Sequence, residues 1–508
     1  MIFLQSARGR WGKDDLGNYI VLSDFEKYRT FAAPYFNIGI NYMKRIVPLL
    51  ITLFVFPFLL SAQNFTLTVN SKGLGADSLR IRAFDGKKAF KTLAVAPCTE
   101  KTVLKMKDKI PAGLYKVQKD TNFLFDLLIS EDKKQSISVS INSKGNSIFE
   151  NSQENTNFQT YLHRTEWFAA KADSINRVFE EAQKTMPQYM LQTLAQNLIQ
   201  EAEGYTGQEA AYKQQVMDEN KGTLLASVVQ FSKQLPPPPQ EYYGNQGALN
   251  YYYTTHLFDY YPFEDPRMVS TPLAAPRIRQ YAAEIYYLRP EEAAKLADEL
   301  LTKARVNPVT YHCFFDNLEA VLGTLKSPYF TEEIYIAMLR NALSYDKVEK
   351  KRVNYYQQLL DLHTKNLPGT KIPDFQVLWS DSSKSSIYDI ESEYILLYFQ
   401  NPDCPTCTEV RGKLAVNEDV NRAIESGKLK VVTIYFEDDR ALWERYLRNH
   451  ANPKYLHGWD YKNEINSKNL FDLRIIPYMF LLDKDKVVLK KDMLYNEVSD
   501  ILRHYKIY

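Results

Sequence analysis

The sequence contains little cysteine, little histidine and almost no net charge. Its 508 residues include four cysteines and seven histidines, and the formal net charge is +2. Four cysteines are too few for a disulfide-stapled scaffold, and neither His256 nor His312 lies in a metal-ligand spacing. The near-neutral charge gives no sign of a nucleic-acid surface. The length nevertheless leaves room for two or three domains with sizeable cores.

The sequence also lacks an apolar run of the length that a membrane-spanning helix needs. A charged start at residues 43–45 precedes an apolar stretch from Ile46 to Leu60, and small residues up to Gln63 follow. This stretch contains two prolines and is shorter than the roughly 20 residues of a typical span. The pattern is typical of a secretory signal peptide. We therefore expect residues 43–62 to be removed and the mature chain to begin near Gln63 in the periplasm, with a membrane anchor as the alternative.

Residues 1–42 precede this signal without clear periodicity or a targeting pattern. A signal peptide begins at the N-terminus of the translated chain. We interpret residues 1–42 as an extension from an upstream mis-start, with Met43 as the real initiator. An ordered cytoplasmic tail ahead of a signal anchor is the alternative.

Residues 63–152 consist of short alternating runs separated by turn residues such as Asp85-Gly86. Alternation with a period of two predicts an antiparallel β-sandwich. The expected strands are Phe65–Val69, Leu79–Phe84, Thr102–Met106, Leu114–Val117 and Ile137–Ile141. No catalytic residue stands out among them.

Residues 153–366 have the spacing of helices, with apolar positions three and four apart in segments such as 291–303 and 332–343. Four prolines at 236–239 predict an extended surface connection. The tyrosines between 242 and 261 either pack between helices or line a sugar- or peptide-binding groove. Two helix breakers at 366–370 mark the start of a last domain, residues 367–508.

Two of the cysteines form the tetrad Cys404-Pro405-Thr406-Cys407, which follows an apolar run at 394–399. Much later, Ile476-Pro477 opens a second apolar run. A strand, a Cys-x-x-Cys at a helix start and a proline opening a later strand are the outline of a thioredoxin-type redox site. No second ligand pair follows Cys407, which argues against a structural zinc site. The other cysteines, Cys98 and Cys313, are isolated; each is interpreted as a small buried side chain, with a disulfide between them as the alternative.

The order of residues assigns different roles to the two cysteines of the tetrad. Cys404 would lie at a helix N-terminus, where unpaired N–H groups and the helix dipole stabilise a thiolate. Cys404 is therefore the predicted nucleophile, and Cys407, one turn further in, is the predicted resolving thiol. Pro405 fits the first helical turn because its missing N–H would be unpaired there anyway.

Residues 371–508 resemble the extracytoplasmic thioredoxin-like proteins related to cytochrome-c maturation reductases and the peroxiredoxin-like fold. The matching segments are Ile372-Pro373-Asp374-Phe375, Ile387-Tyr388-Asp389-Ile390, Asn401 to Cys407, Leu473 to Tyr478, and Leu482 to Asp485. The resemblance implies a cis bond at Ile476-Pro477, beside the active-site cysteines, and substrate docking around Pro405, Thr406 and Ile476. It also implies an inserted helix–strand element near residues 441–462.

Two positions depart from the thioredoxin pattern. Asp403 stands where Trp is common, and its negative charge would oppose thiolate formation at Cys404. Tyr398 stands where thioredoxins bury an acid that aids proton transfer. Glu409 and Glu437 are candidate proton carriers if the fold brings them near Cys407.

The fold class that we expect is multidomain: an N-terminal all-β sandwich, an α-helical middle domain and a C-terminal α/β thioredoxin fold. The sandwich that ends at residues 150–155, the helices after it and the segment 263–272 resemble uncharacterised domains found ahead of thioredoxin domains in secreted proteins of Bacteroidetes. The expected function is thiol–disulfide exchange in the periplasm, with reductase or isomerase activity favoured over oxidant activity. No cofactor, metal or nucleic acid is expected, and the partners would be protein disulfides and a membrane or periplasmic electron donor. The alternative is an envelope-binding protein that contacts proteins or glycans through its first domains, with a redox-inactive thioredoxin-like domain.

Overall fold

The computed structural model describes the backbone of residues 10–13 and 19–22, and then residues 64–71, 74–75, 77–84, 90–106, 110–130, 134–142, 145–325 and 327–508. The predicted signal peptide, residues 43–62, lies outside these ranges. Within the predicted extension, β1 (Arg10–Lys13) pairs antiparallel with β2 (Tyr19–Leu22). The chain divides into two compact units, residues 1–341 and 342–508. The domain boundaries at residues 62, 152 and 366 stay predictions. In the described part of the chain, we find no helix with the length and apolarity to cross a membrane.

The β-rich region is a sandwich of two four-stranded sheets, as the alternation predicts. Its strands are β3 (Asn64–Ser71), β4 (Ser78–Phe84), β5 (Phe90–Pro97), β6 (Lys101–Met106), β7 (Gly113–Lys119), β8 (Asn122–Ile129), β9 (Lys134–Ile141) and β10 (Ser147–Phe149). The sheet orders are β10-β9-β3-β6 and β5-β4-β7-β8. Inward side chains of both sheets form one core that includes Leu67, Ile81, Val117 and Val139. Strands with one face buried and one face solvated produce the alternation in the sequence.

The prediction of a purely antiparallel sandwich is wrong for one pair of strands. β3 and β9 run parallel, with Phe65 opposite Gln135 and Val69 opposite Val139. β8 belongs to the other sheet, so the chain crosses between sheets before it enters β9. A crossover of this kind does not force the antiparallel direction that a hairpin imposes.

The middle region is helical, as predicted. Its helices are α1 (Gln153–Thr185), α2 (Gln188–Glu219), α3 (Leu224–Phe231), α4 (Gln246–Thr255), α5 (Ala274–Ile285), α6 (Pro290–Ala304), α7 (Pro308–Leu318) and α8 (Glu332–Leu343). They are followed by α9 (Lys350–His363), which belongs to the second unit. The prolines at 236–239 lie in a connection without regular structure. Tyr252 and Tyr261 are buried, and the Tyr252 hydroxyl donates to the Pro236 carbonyl at 3.0 Å. These two tyrosines therefore pack inside the region and do not line a groove.

The C-terminal region is a seven-stranded mixed sheet with helices on its faces. Its strands are β11 (Gln376–Trp379), β12 (Lys384–Ser386), β13 (Tyr394–Phe399), β14 (Leu429–Tyr435), β15 (Leu456–Trp459), β16 (Tyr478–Asp483) and β17 (Val488–Lys490). Its helices are α10 (Pro405–Ala415), α11 (Glu418–Glu425), α12 (Arg440–His450), α13 (Glu464–Ser467) and α14 (Val498–His504). The strand order is β12-β11-β15-β14-β13-β16-β17, with β13, β14 and β15 parallel. The predicted insertion near 441–462 is α12 followed by β15.

Helix α9 is joined to this sheet by hydrogen bonds at its C-terminal end. The buried Lys491 ammonium donates to the carbonyls of His363 at 3.3 Å and Lys365 at 2.9 Å. Asn366 donates to the Leu470 carbonyl at 3.0 Å. A lysine that binds the last carbonyls of a helix satisfies groups that have no partner within the helix.

Candidate active site

Cys404 is the N-cap residue of α10, as the sequence predicts. Its backbone is extended, Pro405 takes the first helical position, and the Cys407 N–H donates to the Cys404 Sγ atom at 3.2 Å. The free backbone N–H groups of a helix start favour negative charge on an atom in this position. Cys404 is partly exposed, and Pro405 and Thr406 beside it are exposed. Cys404 is therefore accessible to solvent, and its sulfur atom lies at the N-terminus of α10.

Cys407 has the opposite environment. Its side chain is fully buried on the inner face of α10. Burial raises the pKa of the Cys407 thiol to about 12, and the adjacent Cys404 side chain adds to the rise. Both thiols are free in the structure. The two cysteines therefore differ in access, and burial disfavours the thiolate of Cys407, which suits an attacking and a resolving thiol.

The Ile476–Pro477 peptide bond is cis, so this prediction is confirmed. Pro477 immediately precedes β16, whose first residue, Tyr478, lies opposite Phe399, the last residue of β13. The loop with Cys404 leaves the sheet at that same end of β13. Ile476 packs against the sheet core, and the preceding Ile475 is 45% exposed. The topology thus brings the proline segment and the cysteine tetrad to the same end of the neighbouring strands β13 and β16.

Tyr398 occupies the buried position where an acid was expected from the thioredoxin pattern. Tyr398 lies in β13, and its hydroxyl donates to the backbone carbonyl of Cys407 in α10 at 2.8 Å. Burial raises the pKa of Tyr398, so the hydroxyl keeps its proton at neutral pH. Tyr398 therefore holds the cysteine helix against the sheet and does not serve as a base.

The charge of Asp403 is exposed and lies near a cation. The Asp403 carboxylate is 3.9 Å from the Arg445 guanidinium, with the two side chains 71% and 60% exposed. Water and this neighbour both weaken the repulsion that Asp403 exerts on a thiolate at Cys404.

The two glutamates proposed as proton carriers are both exposed. Glu409 lies on the solvent face of α10 and pairs with Lys413 at 2.6 Å. Glu437 follows β14 and is exposed. Among the described residues, the hydrogen-bond partners of the Cys407 and Cys404 side chains include neither carboxylate. The structure therefore does not bring Glu409 to the resolving thiol.

A buried polar network behind the cysteines was missed by sequence reasoning. Arg411 donates to the Gln400 side-chain oxygen at 2.7 Å and lies 4.9 Å from the ring centre of Tyr446. The Tyr446 hydroxyl is 3.1 Å from Nδ1 of His457, which is also 2.7 Å from the Thr433 hydroxyl. The one available signal was that Arg411 lies four residues after Cys407, on the same face of a helix.

The neutral form of His457 follows from its partners. The His457 Nε2 atom is 2.9 Å from the Asn452 carbonyl, which can only accept, so Nε2 carries the proton and Nδ1 accepts from the two hydroxyls. Burial lowers the pKa of His457, which favours the same neutral form.

Among the described residues, the remaining cysteines form no disulfide and the acidic side chains form no metal site. Cys98 and Cys313 are free, so the disulfide between them is not present in the structure. In the described ranges, no cluster of three or more His, Cys, Asp or Glu side chains is arranged to hold a metal ion.

A sheet edge that carries a Cys-x-x-Cys at a helix start and a cis-proline at the next strand defines the class of thioredoxin-fold proteins. Residues 392–488 match a family model described as thioredoxin-like, and residues 204–366 match the model of a domain of unknown function, DUF5106. The C-terminal region of the chain therefore contains a thioredoxin-like domain. The presence of this domain supports a redox function in general terms.

Several solved structures from Bacteroides species are similar to parts of the chain. A thioredoxin-like protein from Bacteroides caccae is 26% identical over 53% of this chain and 98% of its own, with a TM-score of 0.49. The C-terminal domain of an uncharacterized protein from Bacteroides fragilis is 36% identical over 28% of this chain and 99% of its own, with a TM-score of 0.27. The thioredoxin domain of a thiol-disulfide oxidoreductase from Bacteroides vulgatus is 12% identical over 27% of this chain and 97% of its own, with a TM-score of 0.24. No curated protein matches the chain.

Proposed function

We propose that the protein is a thiol–disulfide oxidoreductase that reduces or isomerises disulfides of other proteins. The observation that carries the proposal is the hydrogen bond from the Cys407 N–H to the Cys404 sulfur at the start of α10. Hydrogen bonding to the charged form and the helix dipole both favour the thiolate, which is the attacking species in disulfide exchange. The exposure of Cys404 and the burial of Cys407 support the division of roles.

The reaction has two exchanges. The Cys404 thiolate attacks one sulfur of a substrate disulfide, so that a Cys404–substrate bond forms, the substrate S–S bond breaks, and the leaving thiolate takes a proton from solvent. Cys407 then loses its proton to solvent, and its thiolate attacks the Cys404 sulfur. The Cys404–Cys407 bond forms, the second substrate thiolate leaves, and two electrons have passed to the substrate. A dithiol protein of the envelope then reduces the pair again.

The segment around Pro477 supports a docking role for the backbone beside it. Proline has no N–H, so it donates no ladder hydrogen bond at this position. Exposed Ile475 and half-buried Ile476 precede the proline at the end of β16 that pairs with Phe399, and the loop to exposed Pro405 and Thr406 leaves β13 at that same residue. We propose that an extended segment of the substrate protein binds there.

The proposed compartment is the periplasm, on the basis of the signal-like pattern at residues 43–62. Mass spectrometry of the protein from a periplasmic extract tests this proposal, and the expected N-terminus is near Gln63. A mature species that retains residues 1–42 would contradict both the cleavage and the mis-start interpretation.

The function is tested by trapping the mixed disulfide. Cys407→Ser should keep the attack and block its resolution, so disulfide-linked partner proteins accumulate on Cys404. Cys404→Ser is the matched control, and it should trap nothing and should not reduce insulin. In the reduced wild-type protein at neutral pH, Cys404 should be alkylated faster than Cys407, whose pKa is raised by burial.

The competing function, an envelope-binding protein with an inert cysteine pair, makes different predictions. It predicts equal and slow alkylation of both thiols, or insulin reduction by the wild type that is no greater than that by Cys404→Ser. Either result would refute the oxidoreductase proposal.

A further inference from the structure

Arg411 lies one helical turn after Cys407 on the inner face of α10. It is 8% exposed, although arginine is rarely buried without a charged partner. Its guanidinium donates to the Gln400 side-chain oxygen at 2.7 Å and to the Thr408 hydroxyl at 3.1 Å, and it stacks over the Tyr446 ring. These contacts fix the direction of the guanidinium within the domain, behind the cysteine pair.

The partners of Arg411 are all uncharged. In the part of the chain that the structure describes, no Asp or Glu oxygen forms an ion pair with this guanidinium. A buried cation without a counter-ion is costly, because neutral hydrogen-bond acceptors replace only part of its hydration. The cost is offset if a group beside the cation becomes negative during the working cycle.

Cys407, one turn before Arg411 on α10, must become negative in the second exchange. Residues four apart on a helix are neighbours on one face, and both Cys407 and Arg411 are buried on that face. Burial raises the pKa of Cys407, and the Arg411 charge acts in the opposite direction. The other ionisable groups facing this region are Cys404 on the same helix, Tyr398 on β13, Tyr446 on α12 and His457 on β15.

We propose that Arg411 is a positioning residue for the resolving step, in which its buried charge stabilises the Cys407 thiolate as that thiolate attacks Cys404. This inference rests on the proposed oxidoreductase function and specifies how its second exchange takes place. The proton of Cys407 goes to solvent, the Cys404–Cys407 bond forms as the Cys404–substrate bond breaks, and the substrate sulfur leaves with the electron pair. Arg411 exchanges no atom or electron in this step.

The two exchanges can be timed separately with dithiobis(nitrobenzoate), an aromatic disulfide whose thiolate product is coloured. Attack by Cys404 releases the first nitrothiobenzoate, and attack by Cys407 on the resulting mixed disulfide releases the second. Cys98→Ala and Cys313→Ala in all variants remove the other thiols. The rate of each release is measured across pH for the wild type, Arg411→Lys, Arg411→Gln and Arg411→Met.

Loss of the charge should slow only the second release. A neighbouring opposite charge typically shifts a pKa by one to three units, so Arg411→Gln and Arg411→Met should slow this release at least about tenfold near neutral pH and move its midpoint to higher pH. Arg411→Lys should retain much of the wild-type rate. Arg422→Met, which removes an exposed arginine of α11 (57% exposed), should leave both releases unchanged.

The outcomes separate the two proposals. If the wild type shows no first release, the oxidoreductase function itself fails. If the first release is normal and Arg411→Lys, Arg411→Gln and Arg411→Met have the same second release as the wild type, the role of Arg411 is refuted. Equal slowing by Arg411→Lys and Arg411→Gln, without a pH shift, would show that the side chain acts by packing and would also overturn the proposal. Circular dichroism identifies any variant that fails to fold, and the comparison then rests on Arg411→Lys and on whichever of Arg411→Gln and Arg411→Met folds.

Discussion

The hydrogen bond from Tyr398 to the Cys407 carbonyl gives a quantitative prediction. Tyr398→Phe removes one buried hydroxyl and leaves the aromatic ring in place. The structure gives this hydroxyl one good acceptor at 2.8 Å, in a position that is almost fully buried. A typical buried hydrogen bond contributes about 1 kcal/mol, within a range of about 0.5–1.5. We expect the free energy of unfolding of the C-terminal unit to fall by about that amount.

The assay is urea unfolding followed by tryptophan fluorescence. Three of the five tryptophans, Trp379, Trp443 and Trp459, lie in the C-terminal unit and report on it. A loss of about 1 kcal/mol lowers the midpoint without changing the slope, and it lowers the melting temperature of a unit of this size by about 2–4 °C. Insulin reduction at a temperature well below unfolding should change by less than about threefold, because the hydroxyl stays protonated and moves no proton.

Tyr388→Phe is the matched control. Its hydroxyl also donates to a backbone carbonyl, that of Ile372 at 2.5 Å. The Ile372 N–H donates to the carbonyl of Lys486, which follows the C-terminal end of β16, whereas Pro477 precedes its N-terminal end. Tyr388 is therefore remote from the cysteines. Both variants should lose stability, and neither should lose activity. A drop of more than about tenfold in the activity of Tyr398→Phe alone, at unchanged stability, would refute the structural role assigned to Tyr398.

Three further predictions concern stability, and urea unfolding checks each of them. Burial lowers the pKa of His457 from its ordinary 6.5, so the contribution of the neutral side chain to the free energy of unfolding should be fully present above pH 6.5 and should be lost as the pH falls through the lowered pKa. His457→Gln should flatten this pH dependence, and an unchanged profile would contradict the prediction. Asp126→Ala removes the carboxylate 3.3 Å from the buried Lys116 ammonium and should cost about 3–5 kcal/mol, whereas Lys116→Met combined with Asp126→Leu should recover most of it. Gly458→Ala would place a methyl group 2.3 Å from a Val377 methyl carbon and should cost about 1–3 kcal/mol; wild-type stability would show that the strand accommodates it.

Part of the fold could be predicted because one-sided burial leaves a pattern in the sequence. β6 has Thr102, Leu104 and Met106 buried and the residues between them exposed, so its alternation is clear. β8 was missed because its apolar run does not alternate. Leu128 faces away from the sandwich core and is still buried, and its backbone bonds to the Asn155 side chain of α1. A strand covered on both faces is a continuous apolar run, which periodicity cannot distinguish from a buried helix.

The cysteine roles could be predicted because they depend on local order along the chain. A Cys-x-x-Cys after a strand places the first sulfur at a helix start, and the structure has this geometry at Cys404. The environment of Arg411 could not be predicted in the same way. Its burial depends on Gln400 and Tyr446, which reach it from other elements, and arginine on a helix is usually exposed. Sequence reasoning also assigned Glu409 a possible proton-transfer role, but its side chain lies on the solvent face with Lys413.

The hydrogen bonds between α9 and the C-terminal sheet bear on how this domain can be produced by itself. A fragment cut at the predicted boundary, residue 367, would lack the His363 and Lys365 carbonyls that accept from the buried Lys491 ammonium. It would also lose the contact between His363 and Arg474, whose nitrogens are 3.2 Å apart, three residues before Pro477. A cation deprived of buried acceptors destabilises the fold around it. A fragment for biophysical work should therefore begin before Lys350, so that it includes α9 and the carbonyls that bind Lys491.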